Sequence, residues 1–551
     1  MPWLQAPSST LSAIILVVFA WLLLKLLSIG RRESHLPPGP PTVPLLGNLN
    51  VFPTEYAHYN HAIDDDLLWR RFTEWARQYG DIYSLKVTSG TAVVLTGTEV
   101  VKELMDKRSA TTSDRPSSHM AEKVTGGMNM GFEPYSERCK ISRRAVHAVL
   151  TPSAVAAHFP IQRAEATQAL YDFLKTPNDF YTHILRTSNS IIMSVLYGKR
   201  CPRYDSHESK AFYEVNHLWN MALEPGAIDI LPILDWVPER WASWKKIAKE
   251  VKRLQRALYF GLVDETEERI RRGDENGSYM EEVLKRRDEF GLNREMIGYL
   301  GGVLLEGGSE TSAVFLQSLV LLLIAFPEVQ RKAQEEVDRV IGRDRLPSLE
   351  DIDDLPYIQA LIKETHRYRP VTPLLVPHAT AADEEYRGFI IPKGTTIFVN
   401  LYGIFHDPDV FEDPELFNPD RYIKTEFGTK AGVDDSSWRS NLHFGCGRRI
   451  CPGMHLANNA MALNTMNFVW AFDFKPAKGP NGQDIPADVN AYEKGLSSVP
   501  KPFDCIITPR HAKVSEIIER EFQEATDTFI KFERDLVPAD KAFVEEQRRG
   551  L

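Results

Sequence analysis

The chain is 551 residues long, 43% hydrophobic and 25% charged, a globular composition with enough apolar side chains for a large core. Its formal net charge of -10 argues against a nucleic-acid partner. The five cysteines (Cys139, Cys201, Cys446, Cys451 and Cys505) are odd in number and unpatterned, which predicts a reducing compartment and no disulfide framework.

Residues 11–29 are almost wholly apolar, with Lys25 the one charged side chain, enough for a helix of about 30 Å that spans the hydrocarbon core of a bilayer. Arg31 and Arg32 follow, whereas residues 1–10 carry no charge. The positive-inside rule then makes residues 1–10 lumenal and 11–29 a single-pass anchor, with the remainder cytosolic. The apolar run is long for a cleaved signal and lacks a basic front. Residues 30–47 form a basic and proline-rich hinge built on Leu36-Pro37-Pro38-Gly39-Pro40-Pro41, whose fixed dihedrals rule out a helix.

Residues 80–98 alternate and are β-branched, predicting two strands. A turn-rich segment passes through Asp114-Arg115-Pro116 and Gly126-Gly127. Ser136 to Leu150 reads as a helix carrying the basic cluster Arg138, Lys140, Arg143 and Arg144, by default a solvated face. Residues 155–290 alternate helices and loops, with Lys245 to Arg272 exposed and a loop at Pro225-Gly226, Leu231-Pro232 and Pro238.

Asn293 to Phe326 is a long apolar pattern that stops at Pro327, a helix of about 50 Å if continuous. Its centre reads Glu306-Gly307-Gly308-Ser309-Glu310-Thr311-Ser312. Two glycines at mid-helix cost about 1 kcal/mol each, and close approach to a flat ligand with a local widening of the helix would account for them. Thr311 taken alone would bond its own helix carbonyl. It also occupies the closing glycine position of a hydrolase elbow around Ser309, which speaks against that reading. Glu364 and Arg367 fall three apart on one helix face and can pair. Tyr386 to Val399 reads as two strands around a turn, and Arg421 lies in a later loop, Phe417-Asn-Pro-Asp-Arg-Tyr422.

The chemistry concentrates in His443-Phe444-Gly445-Cys446-Gly447-Arg448-Arg449-Ile450-Cys451-Pro452-Gly453-Met454-His455. Glycines permit close backbone approach, and Arg448 and Arg449 present forked donors suited to carboxylates. Cys451 stands at the start of an apolar helical pattern, where a thiolate is favoured. A soft anionic ligand beside carboxylate-binding arginines points to iron in a macrocycle with acidic arms. Zinc held by His443, Cys446, Cys451 and His455 in an interaction module is the competing reading. A dinucleotide fingerprint fails because Ile450 stands where its third glycine belongs.

The pattern Phe444-x-x-Gly447-x-Arg449-x-Cys451-x-Gly453 resembles the signature of the cytochrome P-450 family of haem-thiolate monooxygenases. The likeness runs from the proline hinge to about residue 510, with four separated motifs in the family's order. It implies a mainly α fold, a helical haem domain (48–510) with a small β-rich subdomain behind one transmembrane helix, leaving 511–551 as a helical extension. It implies haem b with Cys451 as axial ligand to the iron and with Phe444, Gly447, Arg449 and Gly453 around it. Arg143 and His378 match positions that bond propionates, while Cys139 stands where the family has a tryptophan. Glu310 and Thr311 match the acid–alcohol pair that delivers protons to oxygen, and Glu364, Arg367 and Arg421 match a buried structural network. The segment after residue 113 matches a loop that covers the substrate.

No flavin or nicotinamide fingerprint is present, so NADPH electrons would arrive through a flavoprotein reductase, with cytochrome b5 as a second donor. A basic face around Arg138, Lys140, Arg144 and Arg448 would steer such a partner. The resemblance further implies an endoplasmic reticulum location and a hydrophobic substrate. The run Pro370-Val-Thr-Pro-Leu-Leu-Val-Pro-His378 and the cysteine loop look like fungal secondary-metabolism members acting on terpenoids, indoles or polyketides by hydroxylation, epoxidation or multistep oxidation. A haem-thiolate isomerase or dehydratase is the alternative within the same fold. Beyond Pro509, Ile518, Phe522, Ala525, Phe529, Phe532 and Leu536 keep helical spacing and predict packing on the protein's own surface, with membrane or partner contact as the rival.

Overall fold

The computed structural model describes residues 9–51, 67–223, 227–230 and 232–550. The expected lumenal residues 1–8 and the loop positions Pro225, Gly226 and Leu231 lie outside them. The fold is mainly helical with small sheets. The Ser9–Ser28 helix carries exposed large apolar side chains from Ile14 to Leu27. The proline segment behind it is docked on the protein. Arg32 donates to the carbonyls of Gly39 and Pro40 and to the Ser84 hydroxyl at 2.7–2.9 Å, and Ser84 N–H donates to Pro38.

The four-stranded sheet runs in the order β1 (Ile82–Val87), β2 (Gly90–Leu95), β6 (Thr396–Val399), β3 (His378–Ala379). β1 and β2 are the alternating pair legible at 80–98, antiparallel with Ile82 opposite Leu95. The two strands expected between Tyr386 and Val399 both exist but do not pair with each other. β5 (Phe389–Ile391) folds back on β4 (Glu384–Tyr386), because Arg387 and Gly388 both take positive φ and close a tight turn. β6 continues into the larger sheet, parallel to β2. A third pair, β7 (Phe472–Pro476) with β8 (Cys505–Pro509), is antiparallel.

The long helix Arg294–Ala325 is the axis of the core. The Asn293 side chain caps it by accepting from Met296 N–H at 2.9 Å, and Pro327 opens the next helix. It is long and apolar enough to cross a membrane, yet 72% of its most apolar window is buried inside the fold. Each aliphatic side chain buried on it contributes about 1.5–3 kcal/mol. Four of its glycines, Gly298, Gly301, Gly302 and Gly308, are sites of close packing. A Cβ on Gly302 would meet the Tyr259 ring at 2.3 Å, and one on Gly308 would meet Ile192 at 2.6 Å. These contacts bring in the helices Ser243–Arg272 and Phe180–Tyr197.

The C-terminal segment packs on this body. Phe522 stacks on Tyr171 at 4.3 Å, and Phe522, Phe529 and Phe532 are buried. Glu533 pairs with Arg200 and Asp540 with Arg203, each at 2.8 Å.

Candidate active site

The cysteine loop lies between a short turn and the Met454–Ala471 helix, and its shape is set locally. Cys451 N–H donates to the Phe444 carbonyl at 2.9 Å, closing the loop on itself. Gly447 has φ +56°, and a Cβ there would stand 2.2 Å from the Met105 carbonyl. Close approach of the 102–107 turn therefore requires glycine at this position, and Asp106 accepts from its N–H at 2.8 Å. Gly453 lies against the sulfur, its Cβ position 3.9 Å from Cys451 Sγ. Phe444 is half-buried beside His443, with ring centroids 4.3 Å apart.

All five cysteines are free, and Cys451 alone is only partly buried. Burial pushes its thiol up, opposed by the Gly453 N–H and the charge of Arg143. A coordinated metal reverses that balance, since a ligating thiol is deprotonated outright. Cys446 is buried beside Asp106, and its thiol is pushed up to about 12. His443 stacks on His366 at 3.9 Å. Among the described residues no three His, Cys, Asp or Glu side chains form a metal cage. The four-ligand zinc set is therefore not assembled.

Around this loop the structure gathers buried cations. Arg143, on the helix Glu137–Val149, donates to the Ile450 carbonyl at 2.7 Å. Arg449 donates to the carbonyls of Ser113, Met130 and Glu133 at 2.7–3.0 Å and to Cys139 Sγ at 3.0 Å. Cys139, at the position where a tryptophan was expected, thus contacts the loop's own arginine. His378 Nδ1 lies 2.9 Å from the Thr112 carbonyl, and burial with the charge of Arg115 holds its pKa well below the usual value.

Arg115, in the segment Asp114-Arg115-Pro116, joins this set. It donates to the carbonyls of Gly131, Val376 and Pro377, and burial plus the neighbouring Arg449 press it down to about 9. Glu133, the acid that Arg449 influences, is ion-paired to Arg138 at 2.8 Å. Among the described residues no carboxylate ion-pairs with Arg115, Arg143 or Arg449. Unmatched buried cations are costly, and a flat macrocycle with two carboxylate arms fits them. The only available signal for Arg115 in the sequence was an arginine among turn residues.

On the long helix, Thr311 Oγ1 donates to the Gly307 carbonyl at 2.7 Å, the ordinary back-bond. The expected widening is absent, because the helix runs as unbroken α through both glycines. The two glycines serve different purposes. Gly308 admits Ile192, whereas a Cβ on Gly307, which is exposed, would meet nothing within 4 Å, so this face of the helix is open. Glu310 accepts from Asn216 Nδ2 at 3.3 Å.

Glu364 and Arg367 are fully buried and pair at 2.7 Å, with Arg421 at 3.2 Å from the same carboxylate. Arg367 also donates to the carbonyls of Phe405, Pro414 and Leu416, and Arg421 to Glu412. The three side chains pin the 405–421 loop. On the basic face, Lys140 and Arg144 both reach Glu137, at 3.4 and 3.6 Å, while Arg448 is exposed over Tyr135.

The cytochrome P450 family profile matches residues 37–506. A cytochrome P450 monooxygenase of Armillaria gallica is 43% identical over 93% of this chain and 97% of its own length. The cytochrome P450 monooxygenases yanC of Aspergillus niger and atE of Aspergillus terreus are each 38% identical, over 90% and 96% of this chain and 93% and 97% of their own lengths. A solved zebrafish cytochrome P450 with abiraterone superposes with a TM-score of 0.64 at 24% identity, covering 80% of this chain and all of that one. That last likeness speaks for the fold alone. The chain belongs to the cytochrome P450 family and is a haem-dependent monooxygenase using NADPH electrons supplied through a reductase.

Proposed function

We propose that the enzyme inserts one oxygen atom into a hydrophobic small molecule of fungal secondary metabolism, by hydroxylation, epoxidation or successive oxidations. Terpenoid, indole and polyketide scaffolds all suit it. The observation that carries the site assignment is the pairing of the one partly exposed cysteine, Cys451, with three buried arginines that have no carboxylate partner among the described residues.

In this reading Cys451 holds the iron, and Arg115, Arg143, Arg449 and His378 hold the acidic arms, with Phe444, Gly447 and Gly453 shaping the loop. Bound haem supplies the activation of O2, one atom going to substrate and the other leaving as water. The protein residues hold and move the protons this consumes. Thr311 donates to Gly307 and keeps lone pairs free to accept, so it would orient a donor on the oxygen side, and Glu310, next on the helix, would be the acid that supplies protons to that side. Glu364, Arg367 and Arg421 keep the loop before Cys451 in place and touch no reacting atom.

Three features support an enzyme held on the endoplasmic reticulum membrane with its catalytic body in the cytosol. These are the free apolar helix Ser9–Ser28, the basic residues behind it, and a second exposed apolar group at Ile233 (74%), Trp236 (88%) and Trp241 (70%). The exposed Arg144 and Arg448 and the half-exposed Arg138 and Lys140 offer a basic surface to an acidic reductase or to cytochrome b5. The test is the carbon monoxide spectrum of the reduced protein. A thiolate-type Soret band in the wild type that is lost in Cys451→Ser supports the reading, and a band that survives this substitution overturns the ligand assignment.

A further inference from the structure

Glu306 has no role in the mechanism above, yet its carboxyl is held by neutral donors from several segments. Oε1 accepts from Tyr259 Oη and from Gln255 Nε2 at 3.2 Å. Oε2 accepts from Asn129 Nδ2 at 3.3 Å, and the Trp219 indole N–H also donates to the carboxyl. These donors come from three segments. Asn129 lies in the segment between the helices His119–Thr125 and Glu137–Val149, Trp219 on the helix His207–Leu223, and Gln255 and Tyr259 on Ser243–Arg272. All four side chains are buried and neutral. Glu306 itself immediately precedes Gly307, the residue that opens onto free space, and stands one helical turn before Glu310. The helix His207–Leu223 reaches that next turn too, because Asn216, three residues before Trp219, donates to Glu310. Phe132 meets Trp219 edge-on at 6.0 Å, closing the roof on itself.

We propose that Glu306 is a positioning residue that ties the roof over the oxygen-side helix. Its carboxyl gathers Asn129, Trp219, Gln255 and Tyr259, so that the roof and the Glu310–Thr311 pair close as one body. The functional consequence rests on the roles proposed above for Glu310 and Thr311; the tie itself does not.

The physics of the tie gives it a pH signature. Among the described residues no cation neutralises Glu306, and burial together with the charge of Glu310 pushes its carboxyl up to about 7 despite the donors around it. The other titratable groups facing it are Tyr197 from Phe180–Tyr197, Tyr259 from Ser243–Arg272 and Tyr299 from the long helix, all pushed up and therefore neutral near pH 7. The covering segment and His207–Leu223 contribute the non-titrating Asn129 and Trp219. An opened roof admits water and returns Glu306 to the ordinary carboxylate range. The closed form therefore binds a proton more tightly, and closure weakens as pH rises toward 7, by up to about tenfold per pH unit.

The test is hydrogen exchange of the haem-loaded full-length protein at pH 5.5 and 7.5, corrected for intrinsic rates. Protection of residues 119–132 and 207–223 is expected to fall together by about tenfold as pH rises. Glu306→Gln, an analogue of the neutral acid, is expected to abolish that dependence and hold both segments near their protection at pH 5.5. Tyr259→Phe removes a donor that favours the carboxylate and is expected to move the transition to higher pH. A flat wild type, a Glu306→Gln variant that keeps the wild-type dependence, or an unmoved transition in Tyr259→Phe overturns the proposal. Where Glu306→Gln does not fold, the wild type and Tyr259→Phe decide it. The thiolate–carbon monoxide band of the same samples reports separately on the haem reading, so the two can fail independently.

Discussion

The guanidinium of Arg143 donates to the carbonyl of Ile450 at 2.7 Å, so the helix Glu137–Val149 grips the residue immediately before Cys451. The same side chain is buried without a carboxylate partner among the described residues. It therefore has two tasks, holding the loop and offering charge to an acidic arm. Arg143→Ala is expected to weaken haem retention by about 1.5–3 kcal/mol, a ten- to hundredfold loss of affinity. Arg143→Lys restores the charge but not the fork and should recover part of it. The haem-to-protein ratio after gel filtration, compared with thermal stability of the haem-free protein, separates lost binding from lost folding.

Cys446 lies five residues before Cys451 in the same loop, but its surroundings are different. It is fully buried, its thiol is pushed up to about 12, and it packs in the cluster of Val93, Leu104 and Ile397. A neutral core thiol is a small hydrophobe. Cys446→Ala is expected to cost about 1 kcal/mol in urea unfolding while leaving the carbon monoxide spectrum of the reduced protein unchanged. A lost thiolate band would move the ligand assignment to Cys446.

What could be read in advance follows from the range of each interaction. The β1–β2 pair and the helix from Arg294 to Ala325 are written in local periodicity and in their caps, Asn293 and Pro327. The cysteine loop is legible because its residue types are rare together. Arg115 was not, because its meaning depends on carbonyls at Val376 and Pro377, more than 260 residues away. The Gly307–Gly308 pair signalled a constraint but not its division, since a sequence does not say which glycine meets Ile192 and which meets open space. Glu306 read as part of a motif, and its four donors came together only through the packing of the helices His207–Leu223 and Ser243–Arg272.

Glu533 anchors the C-terminal extension. It accepts from Arg200 at 2.8 Å and from Arg548 at 2.6 Å, while Arg200 also meets Glu165 at 2.9 Å and lies 3.4 Å over the Phe529 ring. Removing one member of a buried ionic network leaves the others charged and less well compensated. Glu533→Ala is expected to destabilise by about 3 kcal/mol, measured by urea unfolding. Deleting residues 511–551 uncovers Tyr171 and leaves Arg200 and Arg203 without Glu533 and Asp540. That truncation should aggregate on expression, and a soluble, haem-loaded product would show the extension to be dispensable.

His366 and His443 stack at 3.9 Å behind the cysteine loop, and neither Nε2 has a hydrogen-bond partner among the described residues. Burial holds both rings neutral, with His443 lowered to about 3 and His366 well below its ordinary value of 6.5. The unfolded chain takes up protons near 6.5 while the folded chain refuses them. The stability these groups contribute is therefore complete above pH 6.5 and is lost as pH falls toward 3. Each histidine steepens the loss by about 1.4 kcal/mol per pH unit. His443→Phe keeps the stack and removes one of the two proton sites. It is expected to be at least as stable as the wild type at pH 7.5 and to lose less on acidification to pH 5. Parallel melting curves at the two pH values check this, and equal acid sensitivity in both proteins would assign the acid lability elsewhere.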